Sequence, residues 1–233
     1  MPKRSSLKFC CVLFFFTVSC LGAGDVASFA DLGFAENGKI YMFGQYGVNE
    51  KTLKPWADLN IVDVNTNEFV DGGKVSYIHD KKIDAGQDGS GALMRLVSRN
   101  SGLIQRYGTN FMTQGIPLFI SLEDWQNQEK YPVTFRDFDY GETYRASLKP
   151  VFLKSGGKTV SSFYIVLEKT NSDGSVKTYR VGNPGVKRTN VTSYTIKKVV
   201  VNQERTSMIL IIEMTIQNAS GPDIRYMVEA VRL

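Results

Sequence analysis

Cysteine is absent from this 233-residue chain beyond position 20, and histidine occurs once. All three cysteines, Cys10, Cys11 and Cys20, crowd into the first two dozen residues. The remainder has no disulfide, no thiol nucleophile and no thiolate metal site, so its fold rests on its core alone. His79 alone is too little for a zinc site, which takes several imidazole or thiolate ligands. No Gly-x-Ser-x-Gly elbow accompanies it, and a Ser-His-Asp arrangement therefore lacks its parts. In Tyr77-Ile78-His79-Asp80-Lys81 it reads as a surface-loop residue. Phosphate cradles fail as well: Gly86-Gln87-Asp88-Gly89-Ser90-Gly91 is glycine-rich but lacks the Gly-Lys-Ser/Thr ending. Amides at the following helix start leave an anion contact open, and a cap by Ser90 or Asp88 is the simpler role. No cofactor and no metal is implied.

Long apolar runs are also missing, with one short exception. Phe9 to Val18 is ten residues of FCCVLFFFTV, half the roughly twenty that a bilayer-spanning helix needs. Lys3, Arg4 and Lys8 precede it, and Ser19, Cys20, Gly22, Ala23 and Gly24 follow. This is the three-part layout of an export signal, with the mature chain beginning near Gly22 to Asp25. Two processing routes stay open. Small residues at Gly22 and Gly24, or at Cys20 and Gly22, suit ordinary cleavage. Thr17-Val18-Ser19 before Cys20 resembles a lipobox without its usual Leu, and lipidation of Cys20 would tether the protein to a membrane. The chain is thus expected to be exported, to the periplasm or beyond, free or anchored at Cys20.

Charge of one sign is scarce once the signal is removed. Residues 1–24 hold three of the 28 basic residues and no acid, leaving 25 basic against 23 acidic. The charges are interspersed, so the sequence shows no basic stripe of the kind nucleic-acid binders carry.

What is abundant favours strands: 14 Phe, 11 Tyr and alternating Val, Ile and Thr. Ser28 to Phe34, the turn Glu36-Asn37-Gly38, Lys39 to Tyr46, Ala57 to Val64 and Glu68 to Val70 form a meander, with the rhythm of a propeller blade or small sheet. Leu93, Leu96, Val97, Leu103, Ile104 and Tyr107 then fall at helical spacing over Asp88 to Tyr107, with Gly108 as a stop and Gly102 as a point of division. Strand patterns resume at Ile116 to Leu122, Tyr131 to Phe138, Thr143 to Phe152, Ser161 to Lys169 and Ser175 to Val181. A final three-strand meander covers Ser193 to Val201, Met208 to Gln217 and Ile224 to Leu233. These patterns predict an α+β chain, predominantly antiparallel β, with propeller-blade-like or sandwich-like meanders and one packed helix. No linker divides it, so 25–233 is read as one domain; two packed lobes, about 25–83 and 114–233, joined by helix 88–108, are the alternative.

Three sets of residues suggest chemistry. Asp137, Asp139 and Glu142 supply hard oxygens suited to starting a calcium site or to acid and base roles in a glycosidase; the simpler reading is solvated acids at a strand end. Asp84 and Asp88 invite the same reading. Trp56, in a loop after Pro55, and Trp125, in Glu123-Asp124-Trp125-Gln126-Asn127, are candidates for stacking on a sugar ring or a partner, or for folding back on the core. Asn190-Val191-Thr192 and Asn218-Ala219-Ser220 match the glycosylation tripeptide.

Ser28-Phe29-Ala30-Asp31-Leu32-Gly33-Phe34, Asn37-Gly38-Lys39 and Phe43-Gly44-Gln45-Tyr46-Gly47 resemble the start of a bacterial family of predicted secreted proteins of unknown function, frequent in spirochaetes. Gln114-Gly115-Ile116-Pro117-Leu118, Ser162-Phe163-Tyr164, Arg225-Tyr226-Met227-Val228-Glu229 and Arg232-Leu233 extend the resemblance over the mature chain. It implies a bacterial exported protein and carries no activity or site residues with it. The expectation is a non-catalytic binding or interaction module of the cell envelope or periplasm, its partner an envelope protein or glycan. The competing expectations are a carboxylate-dependent hydrolase of envelope or host carbohydrate, and a calcium-stabilised structural module. The processing routes separate by intact mass: lipidation yields a chain beginning at Cys20 with added acyl mass, and ordinary cleavage one beginning near Gly22 to Asp25.

Overall fold

The computed structural model describes residues 24–122 and 128–233; Cys10, Cys11, Cys20 and Trp125 lie outside them. Strands make up 58% of it, in three open sheets. The first sheet is a plain antiparallel meander of β1 (Ser28–Phe34), β2 (Ile40–Val48), β3 (Pro55–Asp63) and β4 (Glu68–Ile78). The Asn-Gly turn works as expected in part: Gly38 takes φ +63°, while Asn37 does not enter the left-handed region. β4 runs eight residues beyond the Val70 at which the strand pattern ends. Asp71-Gly72-Gly73 looks like a terminator in sequence, but it forms a bulge opposite Asn60 to Val62 and pairing resumes at Lys74.

Two helices cover one face of this sheet, α1 (Ser90–Arg99) and α2 (Ser101–Tyr107). The division falls at Asn100 rather than Gly102. The Asn100 side-chain amide donates to the Leu96 carbonyl at 2.8 Å, competing with the helical ladder there. Ala92, Leu93 and Leu96 pack on Leu32, Met42, Ala57, Leu59 and Ile61.

The central sheet has the order β13-β12-β11-β5, built from β5 (Ile116–Ile120), β11 (Val191–Val201), β12 (Ser207–Asn218) and β13 (Gly221–Arg232). Its core strand is apolar without alternation, Met208-Ile209-Leu210-Ile211-Ile212, as a strand covered on both faces requires. Ile209 and Ile211 join Phe34, Tyr41, Phe43 and Val62 of the first sheet. Met208, Leu210 and Ile212 join Phe135, Tyr144, Phe163 and Ile165 of an outer sheet. That sheet has the order β10-β8-β7-β6, with β9 also on β8, from β6 (Val133–Asp137), β7 (Glu142–Ser155), β8 (Lys158–Thr170), β9 (Val176–Val181) and β10 (Arg188–Thr189). Helices, first sheet, central sheet and outer sheet form four layers.

The edge of the central sheet at β13 is closed by side chains. Its backbone N–H groups at Tyr226 and Ala230 donate to Gln45 Oε1 at 2.8 Å and Asn67 Oδ1 at 2.6 Å. An open edge is a template for pairing with other chains, and these amide side chains occupy it. Asn67 also donates to Glu229, 4% exposed, with Arg188 4.0 Å away. Burial pushes the Glu229 carboxyl above the usual carboxylate range, outweighing the Asn67 hydrogen bond and the Arg188 charge.

Leu210→Ala and Ile211→Ala, one on each covered face, are each expected to cost about 2–5 kcal/mol in denaturant unfolding. Val176→Ala, at an exposed position of β9, should stay within about 0.5 kcal/mol. Equal effects at all three would refute the layered core.

Candidate functional site

Where the first and central sheets diverge, at the Trp56 end of β3, they leave a cleft of about 560 Å³. The residues behind it follow from strand alternation. Ala57, Leu59 and Ile61 face the helices, so Trp56, Asp58 and Asn60 face the central sheet. Trp56 therefore stands inside a strand, 9% exposed, and not in a loop. Gly47 is its register partner on β2, and a Cβ there would lie 3.0 Å from the indole. The missing side chain is what lets the ring lie down.

Arg225, from the start of β13, covers Trp56 with its guanidinium 4.3 Å from the ring centroid. Its Nη1 donates to the carbonyls of Asp25 at 2.7 Å and Ile224 at 2.8 Å. Its Nη2 lies 3.6 Å from the Asp25 carboxylate and 3.7 Å from that of Asp223. Asp25 in turn accepts from Asn49 Nδ2 at 2.8 Å and from the Glu50 N–H at 2.9 Å. Gln45 Nε2 donates to Asp58 at 3.0 Å. Asp25, Asn49, Thr52, Lys54, Asp58, Ser76, Tyr77 and Arg225 thus surround an aromatic floor with donors and acceptors. One group is left over: Trp56 Nε1 is buried with no hydrogen-bond partner among the described residues. A buried donor without an acceptor costs about 1–3 kcal/mol.

A family model described as predicted secreted protein, DUF2259, matches residues 42–232. The chain belongs to that family. It is an exported protein, in keeping with the signal layout of residues 1–24. No curated protein and no solved structure matches the chain.

Asp137 and Asp139 come together on a cation from another sheet. Arg205, in the β11–β12 turn, donates from Nε to Asp137 at 3.0 Å and from Nη2 to Asp139 at 2.7 Å. Its guanidinium also lies 4.7 Å from the Tyr140 ring centroid. Asp137 is 1% exposed and its Oδ1 accepts the N–H groups of Asp139 and Tyr140. Burial opposes its ionisation, but the Arg205 hydrogen bond and charge, with these two amides, hold its carboxyl below the ordinary range. Glu142 joins a separate group, 2.8 Å from Lys169 Nζ and accepting from the Tyr144 hydroxyl at 2.7 Å. The three acids thus form two ion-paired sites.

Asp88 Oδ1 accepts the backbone N–H of Ser90 at 2.9 Å and its hydroxyl at 2.5 Å in a turn ahead of α1, whose N-cap is Gly89 without a side-chain cap, so the expected cap by Ser90 or Asp88 is not formed. Those same bonds hold its carboxyl below the ordinary range. His79, Lys82 and Arg95 line a second hollow of about 710 Å³ beside this turn. His79 sits 3.2 Å from Asp80 with its ring edge-on to Tyr77. Asp84 is exposed in the loop before α1. Asn190 is half-buried at φ +62°, and Asn218 is exposed. Among the described residues, no group of three or more His, Cys, Asp or Glu is placed to hold a metal ion.

The sequence reading missed Asp25, Asp58 and Arg225 as cleft residues. A signal was present for one: Asp58 and Asn60 place polar groups on a face of β3 that should be core.

Asp137→Asn keeps the turn but sets an amide donor against Arg205, at an expected cost of about 1–3 kcal/mol. Because the folded carboxyl titrates below its unfolded value, its contribution is present above about pH 4 and is lost as pH falls through the folded pKa. Urea unfolding should show a wild-type advantage at pH 6 that shrinks at pH 3. A gap independent of pH would contradict the charge pairing.

Proposed function

We propose that this exported chain is a non-catalytic binding or interaction module of the periplasm or cell envelope, with the Trp56 cleft as its ligand site. The observation that carries the reading is the buried Trp56 indole N–H, without an acceptor among the described residues, beside a cleft ringed by polar groups. A cleft with convergent donors and acceptors suits polar ligands rich in hydroxyls and amides, such as a glycan unit or a polar stretch of an envelope protein. The competing hydrolytic reading asks for carboxylates available to substrate. Asp137, Asp139 and Glu142 are instead engaged by Arg205 and Lys169, which supports binding over turnover. Tethering through Cys20 and release into the periplasm both accommodate this role.

Trp125→Phe leaves Trp56 as the sole tryptophan. Titration of that variant with soluble peptidoglycan fragments, and with detergent-solubilised envelope proteins, should give a saturable change in emission. Asp58→Ala should abolish it without lowering the melting temperature to the assay range. Emission indifferent to both mixtures would refute the cleft as the site. Cleavage of the fragments that disappears in Asp139→Asn would instead establish the hydrolase.

A further inference from the structure

Among the described residues, no helix or sheet covers the outward face of the outer sheet. Its inward residues, among them Phe135, Tyr144, Leu148, Phe163 and Ile165, build the core. Its outward residues alternate with these, and β6 shows the pattern plainly, with Val133, Phe135 and Asp137 buried and Thr134 and Arg136 exposed. Register places Arg136 and Arg145 on neighbouring strands of that outward face, with Lys149 four residues along β7 and Arg180 two strands away opposite Val166. Lys187 reaches the same face, its Nζ 3.2 Å from Ser162 Oγ. Glu168 is the acid among them, 3.2 Å from Arg145. Five cations therefore face solvent with one carboxylate between them. At about 4.8 Å between strands and 3.3 Å per residue, Arg145, Lys149 and Arg180 fall within a patch on the order of 10 by 13 Å.

The same face becomes apolar toward the tip of the β7–β8 hairpin. Val151 and Leu153 continue the outward row from Lys149 and are 44% and 55% exposed. Lys154 and Lys158 flank them at the tip, both exposed. Clustered cations call for an anionic partner. A soluble polyanion has no use for exposed aliphatic side chains, whereas a bilayer interface takes up both: lipid phosphates meet the guanidinium and ammonium groups, and the acyl boundary receives the aliphatic tip.

We propose that the uncovered face of the outer sheet docks on an anionic lipid bilayer, with Arg136, Arg145, Lys149 and Arg180 on the headgroups and Val151 and Leu153 entering the interface. This surface is separate from the Trp56 cleft, and its failure would leave the binding reading untouched.

The test is sedimentation with vesicles, using the exported chain carrying Cys20→Ser, which cannot be acylated. Vesicles of phosphatidylcholine alone are compared with vesicles containing about one-third phosphatidylglycerol, in low salt and in about 0.5 M salt, where screening reduces attraction over more than a few ångströms. Binding to the anionic vesicles alone, lost in high salt, is expected. Arg145→Glu with Lys149→Glu should weaken it at least roughly tenfold, and Val151→Ser with Leu153→Ser should weaken it while leaving the charge dependence in place. All four positions are exposed, so melting temperatures should stay near wild type and separate lost binding from lost fold. Equal sedimentation with neutral vesicles, no sedimentation with either, or charge reversal without effect would overturn the proposal. So would tight capture by a soluble acidic polysaccharide that is indifferent to the aliphatic substitutions, because it would assign the face to a polyanion.

Discussion

A β-sheet that is apolar on both faces has to be covered twice, and the rest of this structure follows from that requirement. β12 presents Met208, Leu210 and Ile212 to one side and Ile209 and Ile211 to the other, all essentially inaccessible. Neither the first sheet nor the outer sheet could remain folded as seen without it, because each has its apolar face turned toward this strand. The first sheet carries apolar residues on its second face too, at Leu59 and Ile61, and the helices close that side. Among the described residues the outer sheet alone has a face turned to solvent, and its outward residues are polar or charged except toward the β7–β8 tip, where Val151 and Leu153 are exposed.

Layers that meet over flat apolar areas still need their margins fixed, and here polar side chains do it. At one corner Arg205 ties the outer sheet to the β11–β12 turn through Asp137 and Asp139. Ser207 Oγ of that same turn region donates to the Gly38 carbonyl at 2.7 Å, bringing in the first sheet. Asn202 supports the corner from within, its Oδ1 accepting the N–H groups of Thr206 and Ser207. Along β13, Gln45 and Asn67 do the same for the sheet edge. The Trp56 end differs: there Arg225 and two carboxylates stand between the sheets without closing the gap, and the unpaired indole N–H remains. Among the described residues the other buried side-chain polar atom without a hydrogen-bond partner is the Tyr41 hydroxyl, which lies within the core between the first and central sheets and not beside a cleft.

Local pattern made most of the strands readable. The hairpin at Asn171 to Gly174 and the C-terminal meander are local in sequence and need no knowledge of register. The run at Met208 to Ile212 is long and β-branched, and its lack of alternation is itself the mark of double burial. The site was less readable because its parts are distant. Tyr226 donates to Gln45 across 181 positions, and Arg205 reaches Asp137 across 68. The acidic cluster was visible as a cluster, but the cation that engages it was not. Trp56 followed a proline and a lysine and so looked like loop; only its register opposite Gly47 places it in the floor of a cleft.

Charge shows the same loss of information most clearly. After the signal, 25 basic and 23 acidic residues are interspersed along the chain, and no linear window stands out. Strand alternation then sorts them. On β6 and β7 the cations Arg136, Arg145 and Lys149 fall at outward positions, while Asp137 points inward to a partner. Arg180 arrives from β9 and is held in place by Tyr164, 4.3 Å from its guanidinium. Asp137 and Asp139 meet Arg205 from the central sheet at the seam between layers, and a cluster of cations is left on the outward face of the outer sheet. A nearly neutral sequence thus folds into a protein with one electrostatically distinct side, because the two-residue period of a strand separates charges that lie next to each other in the chain.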